Sequence, residues 1–304
     1  MGGATCVSQR TMRILIEVSA AVLAAAALVH AYFVAPLLFW PLVSLMASSA
    51  VLAAHSPMAL SRRMTFLAHA QAHSILTASL LAAIPAAALG AGLSSPLFLA
   101  FTLVAMVLLN FAVLAVERLG YARDVATGVV MSLQVSATVA LLYLVRLVYA
   151  AVVDPLAVLT GEYVLITPRD VAQQAPLLAA AAVFPLAFGV KYLYAAVDEQ
   201  YARAVGIRVG LYDFGYVFSM SIAAAAGIYA LGALMPAVLL VMPGAVAARQ
   251  SKRLLDQIPL STSFGVLSAA VAHFLYTALP WLWPSAALGL VLALLLAVGF
   301  RGRG

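Results

Sequence analysis

Apolar residues in this chain hardly alternate; they run on in blocks, separated by short clusters of Arg, Pro and Gly. A helix needs about 20 mostly apolar residues to cross the hydrocarbon core of a bilayer. Ten stretches approach that length: 14–34, 36–55, 65–90, 94–116, 124–149, 171–190, 211–230, 232–249, 260–279 and 284–300. Several are parted only by a turn, at Pro36, at Gly92 with Pro96, at Gly232 and at Pro280 with Pro284, so the pattern predicts eight to ten spanning helices. The stretches 211–230 and 232–249 read either as tight hairpins or as broken helices. Pro236 and Pro243 lie seven apart in the second of these and predict one bent helix, serving either for packing or as a hinge. Without long alternating segments an outer-membrane barrel is disfavoured, and the reading is an all-α, polytopic membrane protein with a single domain over 1–304.

Composition agrees. Only 9% of the 304 residues are charged and 66% are hydrophobic, whereas a soluble domain carries roughly 25% charged residues. The first 34 residues begin with charge and continue apolar, but the run is too long for a signal peptide and predicts a retained helix. Cys6 is the one cysteine, so neither a disulfide framework nor a thiolate metal cluster forms within one chain. The net charge of +6 sits in short loops and is a topology signal, with no nucleic-acid partner implied. With the N-terminus cytoplasmic, Arg10, Arg13, Arg62, Arg63, Arg118, Arg123, Lys191, Arg203, Arg208, Arg249, Lys252, Arg253, Arg301 and Arg303 fall on the cytoplasmic side. Arg169, in the external loop from Asp154 to Asp170, is the main exception, and that loop predicts a short interfacial segment. No phosphate-binding GxxxxGK loop, GxSxG elbow or HExxH pair occurs.

Chemistry concentrates first in RRMTFLAHAQAHSILTAS, Arg62 to Ser79. His69 and His73 are four apart and so share a helix face. Imidazole suits borderline metals, and an ionisable pair in a membrane is seldom accidental. The bland alternative is a pair of histidines satisfied by neighbouring Ser or Thr. His273, mid-helix in VLSAAVAHFLYTALP, is a candidate third ligand or an interior histidine bonded to Ser268 or a carbonyl. His30 and His55 read as interfacial.

A second stretch, AAVDEQYARAVGIRVG from Ala195 to Gly210, is short, amphipathic and charged. Asp198 and Glu199 open it, Arg203 follows Glu199 by four residues, and Gly206 ends it. It is either a solvated loop or a helix offered to a cytoplasmic protein through Tyr201, Ala202 and Val205. Two other functional classes also fit these residues. One is an ion- or proton-coupled secondary transporter with the histidines as proton relays. The other is a membrane enzyme with a resident metal, which would need a third ligand and a base; Glu17 is the acid well inside a predicted span.

Taken in order, these stretches resemble the membrane subunits of metal-ion ABC importers for zinc, manganese and iron. RRMTFLAHAQAHSILTA is similar to the family's RRMSLIGDALSHAVLPG, AVDEQYARAVGIRVGLYDFGYVF to its FDPEFARAAGLPVRLLDYLL, and YALGALMPAVLLVMPGAVA to its VGVLLVIALLIIPAATA. Weaker likenesses are RLGYARDVATGVVMSL, VLTGEYVLITPRD and WPSAAL, all collinear from about residue 40 to about residue 300. The resemblance implies a homodimeric permease in the plasma or inner membrane, joined by a cytoplasmic ATP-binding-cassette ATPase and an extracellular or periplasmic metal-binding protein. It implies no permanently bound cofactor, the divalent metal being cargo. Residues 195–207 would be the coupling helix on the ATPase, and 14–34 an extra N-terminal element. The family's histidine falls on His73 and its aspartate on His69, a departure; its Pro-Gly becomes Thr77 and Ala78. Imidazole in place of carboxylate favours zinc over manganese.

Overall fold

The computed structural model describes residues 3–92, 95–148 and 159–301, and among them there is helix and no strand. Helices α1 (Gly3–Phe33), α2 (Phe39–Ser61), α3 (Thr65–Ala88), α4 (Pro96–Arg118) and α5 (Arg123–Val148) come first. After the 3-10 turn Tyr163–Leu165, α6 (Pro168–Val183) runs through a π-helical segment, Phe184–Phe188, into α7 (Gly189–Val197). Then follow α8 (Glu199–Ala204), α9 (Val209–Ala226), α10 (Ile228–Leu231), α11 (Met235–Leu239), α12 (Met242–Gln250), α13 (Leu254–Ala278) and α14 (Pro284–Arg301). Eight helices among the described residues are long and apolar enough to cross a membrane; Met235–Gln250 and Pro284–Val298 are shorter apolar stretches. The fold is an all-α polytopic bundle. Asp154, in the predicted external loop, and Arg303 lie outside the described residues.

Helix α2 is the centre of the bundle, packed on α13, α12, α6 and α7. Hydrocarbon gives helices little hydrophobic reason to associate, so small residues and buried hydrogen bonds do the joining. A Cβ at Gly265 would come within 2.6 Å of Ala53 Cβ and 2.7 Å of the Ser49 carbonyl oxygen, and one at Gly244 within 2.6 Å of Ser56 Oγ. Gln174 of α6 reaches into α2, accepting from Ser44 Oγ at 2.6 Å and donating to Ser48 Oγ at 2.8 Å and to the Ala226 carbonyl at 2.6 Å. Thr167 and Asp170 form a reciprocal capping box at the start of α6.

Helix α1 lies against α13 through Ala20, Ala27 and Ala31 and is tied at two points. Arg13 pairs with Glu17 and with Asp256, and His30 Nδ1 lies 3.2 Å from His273 Nε2. The two ties share one sequence offset of 243, so the helices run parallel without slip.

The stretch 232–249 is not the single bent helix predicted. Gly232 turns the chain at φ +66°, against the Leu159 carbonyl and Gly161 amide, where any side chain would collide. Pro236 and Pro243 each stand in the first turn of a separate short helix, α11 and α12. A first-turn proline sacrifices no helical hydrogen bond, so the prolines start helices here. The chain breaks between them at Leu240 and Val241.

Because Gly265 is hemmed by backbone as well as side chain, Gly265→Leu is expected to separate α13 from α2. Overpacking of this kind costs about 1–3 kcal/mol, and thermal unfolding in detergent would record a lowered midpoint. Gly210→Ala, with nothing within 4 Å of its Cβ, serves as the neutral comparison.

Candidate functional site

Helix α3 has two unlike faces. The inner face carries amides and hydroxyls that bind its neighbours. Gln71 and Asn110 exchange two hydrogen bonds, at 2.9 and 3.0 Å, and Asn110 Nδ2 also donates to Ser221 Oγ at 2.8 Å. Ser74 Oγ donates to Gln134 Oε1 at 3.2 Å, and Thr77 and Thr138 hydroxyls meet at 2.8 Å. These bonds fix α3 to α4 and α5, and α4 in turn to α9. The outer face carries His69, exposed, and His73, half-buried one turn further on. Neither imidazole has a hydrogen-bond partner among the described residues.

That freedom sets the pair apart from the other three histidines. His55 is not interfacial: it is fully buried, its Nδ1 2.7 Å from the Val51 carbonyl oxygen and its Nε2 2.8 Å from Ser219 Oγ. His30 and His273 occupy each other across α1 and α13. His273 therefore does not join His69 and His73, nor does it bond Ser268, whose hydroxyl donates to the Gly265 carbonyl. The physical reason is the packing of α13, whose neighbours are chiefly α2, α1 and α14. No cluster of three or more His, Cys, Asp or Glu able to hold a metal occurs among the described residues.

What His69 does face is the broken segment. A cavity of about 450 Å³ is lined by Thr65, Phe66 and His69 of α3, by Ala237 and Val238 of α11, by Val241 at the break and by Met242 at the start of α12. Pro236 and Pro243 bracket that wall without lining it. Apart from Thr65 the remaining lining residues are apolar, so the one strong ligand group on the wall is the imidazole of His69, with His73 a turn away on the same face.

The coupling segment splits in two. Asp198 leaves the helical region at φ −140°, ψ 94°, ending α7 and capping α8, its carboxylate accepting from the Tyr201 amide at 2.8 Å. Gly206, at φ +87°, closes the far end. Tyr201 and Val205 are 66% and 54% exposed. Ala202 is not a partner contact as predicted; it is buried with Ala195 and Val209 and anchors α8 to the bundle. Arg203 is exposed and donates twice to Glu199 Oε1, at 2.6 and 3.1 Å.

Behind α8 lies an ionic network that the sequence reading missed. Arg62, in the turn between α2 and α3, grips Asp213 of α9 with two bonds of 3.1 and 2.8 Å and reaches Glu199 Oε2 at 2.7 Å. Asp213 is 7% exposed and also accepts from Tyr192 Oη at 2.6 Å and from Arg123 Nη2 at 3.3 Å. Arg123 in turn holds Glu117. The Arg62 hydrogen bond and, after it, that of Arg203 keep the Glu199 carboxyl below its usual pKa, against the opposing effect of burial. Burial alone would lower the Arg62 pKa, but its bonds to Asp213 and Glu199 outweigh that and raise it. The signal for Asp213 was present: a lone acid five residues into an apolar helix, at the end where the arginines gather.

Residues 34–301 match the ABC 3 transport family. Two curated relatives are each named "Probable metal transport system membrane protein". The one from Chlamydia muridarum is 30% identical over 157 residues, 50% of this chain and 47% of that protein. The one from Thermotoga maritima is 28% identical over 192 residues, 63% of this chain and 64% of that protein. The matches thus span between about half and two thirds of those relatives' length. The fold is similar to PsaBC from Streptococcus pneumoniae, solved in complex with Fab, with a TM-score of 0.75 and 18% identity over 91% of this chain and 96% of that one. With eight apolar helices among its described residues and a family match over residues 34–301, this multi-pass cell-membrane protein belongs to the ABC 3 transport family.

Proposed function

We propose that this chain is the permease of an importer that passes a divalent transition metal into the cell, with zinc ahead of manganese or iron. One observation carries the reading. Of five histidines, three are engaged by a hydrogen-bond partner within the fold, while among the described residues His69 and His73 have none and share one face of α3, with His69 on a cavity wall opposite a broken helix. Two imidazoles make a weak site on their own. Weakness is what transport requires, because an ion bound by a complete tetrahedral set would not leave.

The names of the curated relatives support a metal as cargo. Family membership favours ATP-driven transport over an ion-coupled carrier. In this reading a second copy of the permease faces the exposed side of α3 and completes the path, and a metal-binding protein outside the cell delivers the ion. The positive-inside pattern puts α8 in the cytoplasm. There Tyr201 and Val205, exposed at the tip of a capped helix, meet the ATPase. Closure of the ATPases displaces α8, and access to His69 changes at the break between α11 and α12.

The test is metal uptake into vesicles holding the permease, its ATPase and its binding protein. His69→Ala with His73→Ala is expected to cut zinc uptake by about 100-fold or more, since losing only the outer-shell partners of metal ligands already costs about 10–100-fold; uptake at the normal rate refutes the ligand role. His69→Asp is expected to raise manganese uptake relative to zinc, since a carboxylate is the harder ligand. Competition between the two ions in one vesicle preparation measures that ratio directly.

A further inference from the structure

Arg62 belongs to no element that touches cargo, and it is too exposed in its connections to be only a core residue. Its side chain is 9% exposed, with all three guanidinium nitrogens engaged. Two hold the buried carboxylate of Asp213 as a fork. The third holds Glu199, whose side chain is 38% exposed, on α8. The guanidinium also lies 5.8 Å from the ring centre of Tyr192, on α7. One side chain therefore joins α7, α8 and α9 to the turn that begins α3.

The backbone around Arg62 leaves little slack. Three residues connect α2 to α3, and each is hydrogen-bonded: the Arg62 amide to the Met58 carbonyl at 3.1 Å, Arg63 to Leu60 at 3.1 Å and Met64 to Ala59 at 2.7 Å. Arg63 takes φ +54°, a conformation seldom adopted by a side chain of its size. A turn so constrained passes a displacement on. His69 follows Arg62 by seven residues, roughly 10 Å along a helix.

We propose that Arg62 is the positioning residue that carries the motion of α8 into α3, and through α3 to the outer face bearing His69. The fork to Asp213 keeps the guanidinium seated in the bundle, and the single bond to Glu199 is the arm that follows α8. This rests on the reading of α8 as the ATPase contact, and it is independent of which ion is carried.

The experiment uses the full permease with its ATPase in vesicles. Cys6→Ser removes the native thiol and His69→Cys supplies a reporter on the cavity wall. The rate of thiol labelling at position 69 is measured with and without ATP and vanadate. The parent is expected to change its rate about five-fold or more on trapping nucleotide, as a shift between two access states requires. Arg62→Gln is expected to bring that change within about two-fold while the trapped nucleotide is undiminished, which a variant that merely failed to assemble would not do. Arg62→Lys, with the charge but not the fork, falls between. Glu199→Gln removes the charge from the α8 arm while leaving the Asp213 fork intact and gives the same loss. Arg203→Gln, which touches only the pair within α8, keeps the parent's response. The Arg62–Glu199 double variant is no worse than either single one, because both disrupt the same connection. If Arg62→Gln does not assemble, Glu199→Gln decides. A parent whose labelling ignores nucleotide overturns the proposal, as do Arg62→Gln and Glu199→Gln variants that keep the parent's response. Zinc uptake by the unaltered complex, measured separately, reports on the cargo.

Discussion

A carboxylate buried at one end of an apolar bundle needs donors around it, and Asp213 draws two arginines. Arg62 supplies a fork and Arg123 a third contact, with the Tyr192 hydroxyl filling the remaining lone-pair direction. Each partner is delivered by a different element: the α2–α3 turn, the start of α5, and α7. Removing one member of a buried ion pair typically costs about 3–5 kcal/mol because the other charge is left without a partner. Four stretches distant in sequence are thus obliged to converge on one point at one end of the bundle. Glu199 attaches there too, so the exposed helix α8 is tied into the same charge cluster and not merely suspended from two loops.

The same economy of polar groups explains α3. In lipid, a hydrogen bond between helices contributes only about 0.6 kcal/mol on average, so one would not rigidly place a helix. The inner face of α3 uses a connected set, Gln71, Ser74 and Thr77 meeting Asn110, Gln134, Thr138 and Ser221. With that face occupied, the opposite face is free to carry side chains that bond nothing among the described residues. His69 and His73 are four apart and lie opposite Gln71, so one helix both locks into the bundle and presents two ligands away from it.

Spans were legible because length and apolarity suffice to define them; boundaries such as 65–90 against the observed Thr65–Ala88 differ by a residue or two. The segment after Gly232 was less so. Two prolines seven apart fit a bent helix and two short helices equally well, and the choice was made by Gly232 packing on the backbone of residues 159–161, a contact between parts of the chain some 70 residues apart. Site residues divided along the same line. His69 and His73 were readable from spacing within one helix, and Asp198, Glu199 and Gly206 from local capping chemistry. His273 was misplaced because its partner, His30, sits at a sequence distance of 243. Arg62 and Asp213 were each visible, but their pairing spans 151 positions and no periodicity links them.

Helix α1 shows how such distant pairings fix one apolar helix against another. The family match begins at residue 34, after α1 has ended. An apolar helix in lipid could rotate or slide against its neighbour at little cost, since its alternative contact is equally apolar. Ala20, Ala27 and Ala31 allow close approach but not register, for small residues fit at several offsets. Arg13 with Asp256 and His30 with His273 remove that freedom. Both pairs lie 17 residues apart on each helix, about 25 Å at 1.5 Å per residue. A slip of one turn would break both pairs together and take Arg13, Asp256, His30 and His273 off their partners on the facing helix. The penalty of a slip is therefore set by the ends of α1, while its middle is left free to be merely apolar.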